Sequence, residues 1–416
     1  MHIREEIDAK GNKRYRFEES YTDPLTLKRK RTSVTFPKHT RATEREAGRL
    51  LANKINKIVN DKTTKDFKQL TFQEVADEWL EHYKKTSGSK HGTIVHKTSL
   101  LRGLKGHVPA DVLLYRLDLK FYQDFFFKLH DEGKSNSLLA SYLQTIKVIY
   151  KYADKYYNFD TPRFIDDIAL PKKAVTREEL QTKREKYLEK HELKYILAAL
   201  NKLAESAQQP SSRRNYKTCA YIVEFLALNG MRVGELSALQ ADNIDEVNKL
   251  LTIDGTISWV TGTSKGSFGV KDTTKTEYSY RRIALSERSL EIIRAVNLMK
   301  KQSIAWDAVY VDRGFIFTNS TGNPFKPMYI NSMIKDAIEL HNAQPELPEA
   351  DKITKKITSH ALRHTHISLL AQENVPLKAI MERVGHHDPA TTTAIYTHVT
   401  QNMQDKTRDL LENILA

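Results

Sequence analysis

The stretch CAYIVEFLALNG, residues 219–230, limits what this chain can fold into more than any other. Its apolar density reads as a buried helix, and Gly230 stops that helix because glycine tolerates the left-handed turn with which helices end. The residues that follow are Met231, Arg232, Val233, Gly234, Glu235 and Leu236. An arginine comes directly after the glycine break, and a carboxylate stands three residues on, where a helix puts both on one face. Taken alone, such a pair reads just as well as a surface ion pair worth almost nothing.

At 416 residues the chain has room for two or three domains, each with its own core. Hydrophobic residues at 40% and charged residues at 28% are an ordinary balance that argues against overall disorder. No apolar run reaches 18 residues, and MHIREEIDAK at the start lacks an apolar signal core, so the expected location is cytoplasmic and nucleoid-associated, with no membrane partner. The single cysteine, Cys219, excludes an internal disulfide framework and reads as a buried inert thiol. The net charge of +14 makes nucleic acid the expected partner. That charge is uneven: residues 1–65 hold 17 Lys and Arg against 9 Asp and Glu, a surplus of +8 that points to a separate basic module.

Residues 3–7, 13–22 and 28–36 read as three short strands, with turn chemistry at Lys10-Gly11-Asn12 and Asp23-Pro24. Thr43-Glu44-Arg45-Glu46 has the form of a capping box opening a helix to about Asn60. A three-stranded sheet backed by one helix is the economical reading of residues 1–65. Its strands would present Arg14, Arg16, Lys28, Arg29, Lys30 and Arg31, either to DNA or merely as solvated guards of an open edge. A second capping box, Thr71 to Glu74, starts a helix with Phe72, Val75, Ala76, Trp79 and Tyr83 on one stripe. Further helical patterns run over about 92–101, 120–130 and 137–156, and their dense aromatics read as core before they read as base-stacking platforms. Residues 66–170 therefore form an all-helical domain. Residues 185–416 form an α+β domain, with an amphipathic helix, the buried helix, strand patterns at 250–254 and 277–285, and helices to the end. The fold class is a multidomain, mainly α chain with small β-sheets.

Four segments of the last domain hold residues suited to one reaction. NGMRVGEL carries Arg232 and Glu235; TKT carries Lys275; SHALRHTH carries His360 and Arg363 on one helix face; GHHDPATTTAIYTHV carries His386 and, ten positions later, Tyr396. Cleaving a phosphodiester without a metal gathers charge on non-bridging oxygens, and preorganised cations stabilise that charge more in the transition state than before it. Arginine forks onto two oxygens and stays charged, so Arg232 and Arg363 suit the clamp. A lysine among cations can protonate the departing 5′ oxygen, imidazoles can donate hydrogen bonds or shuttle a proton, and a tyrosine can form a covalent, reversible bond to phosphorus. A phosphotyrosine conserves the energy of the broken backbone, so rejoining needs no ATP.

In wording and order, NGMRVGEL, TKTEYSYRRIAL, SHALRHTH and VGHHDPATTTAIYTHV resemble the tyrosine recombinase (phage integrase) family over residues from about 185 to 400. The resemblance implies that Arg232 and Arg363 clamp the scissile phosphate and that Lys275 is the general acid, with Lys271 and Lys265 as neighbouring alternatives. It also implies that His360 and His386 assist, Glu235 supports the site and Tyr396 is the nucleophile. Residues 66–170 would then bind core-type sites, and residues 1–65 would bind arm-type sites, as in integrases of temperate phages and conjugative elements. No cofactor is implied. The implied partners are double-stranded DNA attachment sites and three further copies of the chain in a tetramer on DNA, with an excision factor and a host DNA-bending protein as additional candidates. The nearest rivals are a type IB-like topoisomerase and a Xer-type resolution recombinase, which share the chemistry; the separate basic module favours fixed attachment sites. A passive DNA-binding protein would not need this ordered set. A zinc enzyme built on His360, His364, His366, His386, His387 and His398 lacks cysteine partners and an HExxH pattern, so no metal site is assigned.

Overall fold

The computed structural model describes residues 1–7, 12–24, 26–62, 67–171, 187–259, 269–273, 280–385, 392–397 and 399. The chain divides into two compact units, Met1–Lys173 and Ala174–Ala416. It is mainly helical with small antiparallel sheets. No described helix is long and apolar enough to cross a membrane.

The first unit opens with an antiparallel sheet in the order β1 (His2–Ile7), β2 (Lys13–Thr22), β3 (Arg29–Phe36), followed by the helix Arg41–Lys62. The alternation of β2 sends Phe17 onto Ala47 and Leu51 of that helix. Asp23 closes the β2–β3 turn: its carboxylate accepts from the Thr26 N–H at 3.3 Å, and its carbonyl accepts from Leu27, whose φ is +53°. The expected capping box at Thr43 is not what starts the helix. The helix begins three residues earlier, at Arg41, because the Thr40 hydroxyl already accepts from the Thr43 N–H at 3.2 Å, and Glu46 turns instead to Arg49 at 2.7 Å. At Thr71 the capping box forms as expected: the hydroxyl accepts from the Glu74 N–H and the Glu74 carboxylate accepts from the Thr71 N–H at 3.1 Å, opening the helix Phe72–Thr86. Helices His91–Lys105, Leu119–Asp131 and Asn136–Tyr157 then enclose a core rich in aromatics, including Trp79, Tyr122, Phe125, Phe126 and Tyr150.

In the second unit, helices Lys190–Ser206 and Pro210–Asn229 pack beside a sheet of β4 (Ile244–Asp245), β5 (Leu250–Ile253) and β8 (Arg281–Ala284), with β6 (Gly255–Trp259) and β7 (Gly269–Thr273) as a separate hairpin. Cys219 is fully buried, and burial pushes its thiol pKa up, so the thiol stays protonated and inert. Helices Glu287–Trp306, Pro327–Asn342, Ser359–Gln372 and Leu377–Val384 complete the unit.

Candidate active site

The C-terminal end of the helix Pro210–Asn229 organises the site. Gly230 takes φ +62° and donates its N–H back to the Leu226 carbonyl at 2.9 Å. A Cβ at this position would also meet the His366 ring at 2.2 Å, so glycine is required both for conformation and for space. The last carbonyls of a helix have no partner within it and form its negative pole. Here they receive groups from distant sequence: His366 Nδ1 donates to Ala227 O at 2.9 Å, and Arg383 Nη2 donates to Leu228 O at 3.5 Å. Arg363 Nη1 donates to the Gly230 carbonyl just beyond at 2.8 Å.

Arg383 Nε donates to His366 Nε2 at 3.1 Å, which assigns the tautomer: Nε2 accepts, so Nδ1 carries the hydrogen. Burial first, and then the charge of Arg383, push the His366 pKa down to about 4. His366 is therefore a neutral core residue.

Arg232 caps the short helix Val233–Ser237. Glu235 accepts from the Arg232 backbone N–H at 2.9 Å and from its Nη1 at 2.9 Å. The same carboxylate accepts from Arg281 Nη2 at 2.8 Å and Nη1 at 3.3 Å. Glu235 and Arg281 are 4% and 7% exposed, whereas Arg232 is 40% exposed. Burial works against the Glu235 charge, but the hydrogen bonds and charges of Arg281 and Arg232 outweigh it and hold the carboxyl below its ordinary pKa. One sealed carboxylate thus fixes two guanidinium groups and leaves the outer part of Arg232 open.

Arg281 also donates through Nε to the Arg383 carbonyl at 2.9 Å, and Arg232 Nη2 donates to the Gly385 carbonyl at 3.4 Å. Gly385 has φ +69°, and a Cβ there would come within 3.0 Å of Arg281 Nη1. Both arginines therefore hold the turn immediately before His386 in the chain.

Arg363 is 1% exposed. Burial, followed by the nearby charge of Arg232, lowers its pKa to about 9, which still leaves the guanidinium charged at neutral pH. His360, three residues earlier on the helix Ser359–Gln372, sits edge-on to His364 with centroids 4.9 Å apart. His360 is exposed as a residue, yet its ring is partly desolvated; that desolvation first, then Arg363 and Arg232, lower its pKa. The structure thus brings Arg232, Glu235, His360 and Arg363 together. Tyr396 lies in the helical residues 392–397 and packs on the cluster of Ile367, Ala371, Ile380 and Val384. Ile367 is one turn beyond Arg363, so the helix that carries Arg363 also supports Tyr396.

Lys275, Lys265 and His386 lie outside the described residues. Lys271 is on β7, and its Nζ is engaged by Asp254 at 3.0 Å and by Gln240 and Asn243, each at 3.3 Å. Sequence reasoning overlooked Arg281 and Arg383. The signal for Arg281 was available: it shares the inward phase of β8 with Ile283, and a buried arginine in a strand requires a carboxylate.

The basic residues of the N-terminal sheet separate by face. Phe17 pairs with Val34 toward the helix, so Arg14, Arg16, Arg29 and Arg31 share the opposite face, together with Arg4, Glu6 and Glu18. Lys30 falls on the other phase and ion-pairs with Asp23, and Lys28 precedes β3. The expected strand from residue 28 and the expected six-cation display therefore become a face of arginines.

Comparison with known proteins gives the following. Residues 186–403 match the phage integrase family. The chain is 37% identical over 365 residues to the integrase of Staphylococcus phage L54a, covering 88% of this chain and 99% of that one. It is 36% identical over 408 residues to the prophage ps2 probable integrase of Lactococcus lactis subsp. lactis (strain IL1403), covering 97% and 98%. In fold it is similar to the Tn1549 transposon integrase in complex with transposon right-end DNA, at TM-score 0.61 and 18% identity over 83% of this chain and 100% of that one. A lambda integrase tetramer bound to a Holliday junction follows at TM-score 0.52 and 16% identity, covering 92% and 96%.

Proposed function

Because the chain belongs to the phage integrase family, and so is a site-specific tyrosine recombinase that cuts and rejoins DNA, we propose that Tyr396 is its nucleophile, acting on a phosphate clamped by Arg232 and Arg363. The observation that carries this assignment is the meeting of Arg232, Arg363 and His360 around one helix end, with Glu235 and Arg281 fixing the first of them.

In this reading, Tyr396 Oη forms a bond to phosphorus while the bond from phosphorus to the 5′ oxygen breaks. Lys275 delivers a proton to that oxygen, which leaves as a hydroxyl, and the 3′ phosphate remains on the tyrosine. The guanidinium groups of Arg232 and Arg363 meet charge that grows on the non-bridging oxygens, and their fixed placement avoids reorganisation as the charge appears. His360, its pKa lowered by desolvation and two arginines, is neutral at pH 7 and can accept the phenolic proton. His386 follows the Gly385 carbonyl bonded by Arg232 and supplies a further hydrogen bond to the phosphate. Attack by a 5′ hydroxyl on the phosphotyrosine reverses every step.

The substrates are double-stranded attachment sites, contacted by residues 66–170 at core-type sequences and by the arginine face of residues 1–65 at arm-type sequences. Four protomers act on two duplexes, a reading supported by the lambda integrase tetramer among the structural neighbours and by the net charge of +14. The test is Tyr396→Phe on a nicked suicide substrate. The variant is expected to bind attachment-site DNA normally and to form no covalent adduct; an adduct at wild-type yield would remove Tyr396 from the role.

A further inference from the structure

Two helices of the second unit form a groove that the reaction does not use. The helix Pro210–Asn229 lines it with Arg213, Arg214, Lys217 and Tyr221, and the helix Glu287–Trp306 lines it with Leu298, Met299 and Trp306. These spacings of three, four and seven residues place each set on one helix face. The helices run antiparallel: Arg214 donates to the Met299 carbonyl at 2.7 Å and to the Ser303 hydroxyl at one end, and Arg288 holds Glu224 at 2.7 Å at the other. The trough between them encloses about 560 Å³.

Its two walls differ in chemistry. Arg214 is used up as a brace and stacks over Tyr310 at 4.9 Å, but Arg213 is exposed and Lys217 is partly so. Asp307 is the one carboxylate among the described residues of the lining. Across from the cations, Leu298 is 57% exposed and Trp306 is 84% exposed. Large apolar side chains left open beside a trough mark a binding surface rather than a solvated one.

We propose that this groove docks an acidic amphipathic helix of another protein, with its apolar stripe on Leu298, Met299 and Trp306 and its carboxylates toward Arg213 and Lys217. Charge complementarity selects this occupant. A DNA backbone matches the cations but finds no use for an apolar wall, whereas an acidic amphipathic helix engages both walls. The walls run from Pro210 to Tyr221 and from Ala295 to Trp306, twelve residues each, about 16 Å at 1.5 Å per step, which matches about three turns of a partner helix. Arg213 stands sixteen residues before Asn229, about 24 Å along the helix, so a partner held there leaves Arg232 uncovered.

The test titrates the full-length protein into a fluorescein-labelled peptide of about three to four helical turns, with leucines on one face and glutamates flanking them. A control peptide has lysine in place of glutamate. The acidic peptide is expected to bind, and R213E/K217E and Trp306→Ala are each expected to weaken it by about 10-fold or more. The lysine peptide is expected to bind R213E/K217E better than the unchanged protein. Covalent cleavage of a suicide substrate is expected to stay at wild-type level in all variants, which also shows that they fold. Equal binding of the two peptides, or affinity untouched by the substitutions, overturns the proposal. So does a loss of duplex affinity in R213E/K217E, which makes the groove a DNA surface. Peptide binding that appears only after deletion of residues 403–416 also overturns it, because the chain would then occupy its own groove.

Discussion

In the N-terminal sheet Arg16 reaches Glu6 at 3.3 Å with side chains 42% and 44% exposed, whereas in the second unit Arg281 reaches Glu235 at 2.8 Å with side chains 7% and 4% exposed. The residue types are the same, but their physical uses are opposite. Exposed pairs are screened and worth little, so an arginine on the sheet can exchange its carboxylate for a phosphate at small cost. A buried pair cannot be exchanged, because losing either partner leaves an uncompensated charge out of water. The sheet therefore offers replaceable cations, and the helix end offers aimed ones. Arg232 stands between these extremes, anchored by Glu235 at one side and 40% exposed at the other.

Removing the buried carboxylate should separate the two kinds of arginine most sharply. Glu235→Gln strands Arg281 in the interior and should cost about 3–5 kcal/mol of stability, read by chemical denaturation. Adding Arg281→Met should restore most of that loss, and simply additive losses would show that the two residues are not coupled. Arg363→Ala should slow single-turnover cleavage by about 10²–10³-fold, about 3–4 kcal/mol of lost transition-state stabilisation; near-normal rates would break the aimed-cation idea.

A smaller effect comes from pH. The His366 pKa is lowered to about 4 in the folded chain, so as pH falls below about 6.5 the unfolded chain takes up the proton first. The stability tied to neutral His366 is fully present above about pH 6.5 and is lost as pH falls toward 4, about 3 kcal/mol in all. An NMR titration of the ring should find its midpoint near 4, and a midpoint between 6 and 7 would contradict the buried neutral tautomer. The smallest effect belongs to the sheet. Arg29→Ala and Arg31→Ala should each flatten the salt dependence of arm-site binding by about one unit of slope, while cleavage of a core-site suicide substrate stays unchanged. Cleavage that falls with them would erase the distinction between the two kinds of arginine.

Much of this was readable along the chain wherever the cause is local. Thr71 and Glu74 lie three residues apart and cap their helix as the spacing requires. Gly230 ends its helix, and Arg232 and Glu235 meet across one turn. At Thr43 the same pattern misled, because Thr40 competes for the same N–H and stands nearer the true start. The strand that holds Lys271 was not readable in this way, because pairing with β6 makes it, and strand pairing depends on residues elsewhere.

What the chain order alone determined is the chemical inventory: two arginines, imidazoles and a tyrosine in a fixed succession, and a helix that must stop at Gly230. The groups that hold them in place were set by folding. Arg281 and Arg383 lie 46 and 17 residues from the partners they fix, Glu235 and His366, beyond the reach of any periodicity. Such contacts form because a buried charge and a helix end both require partners, and folding supplies whichever ones come within reach.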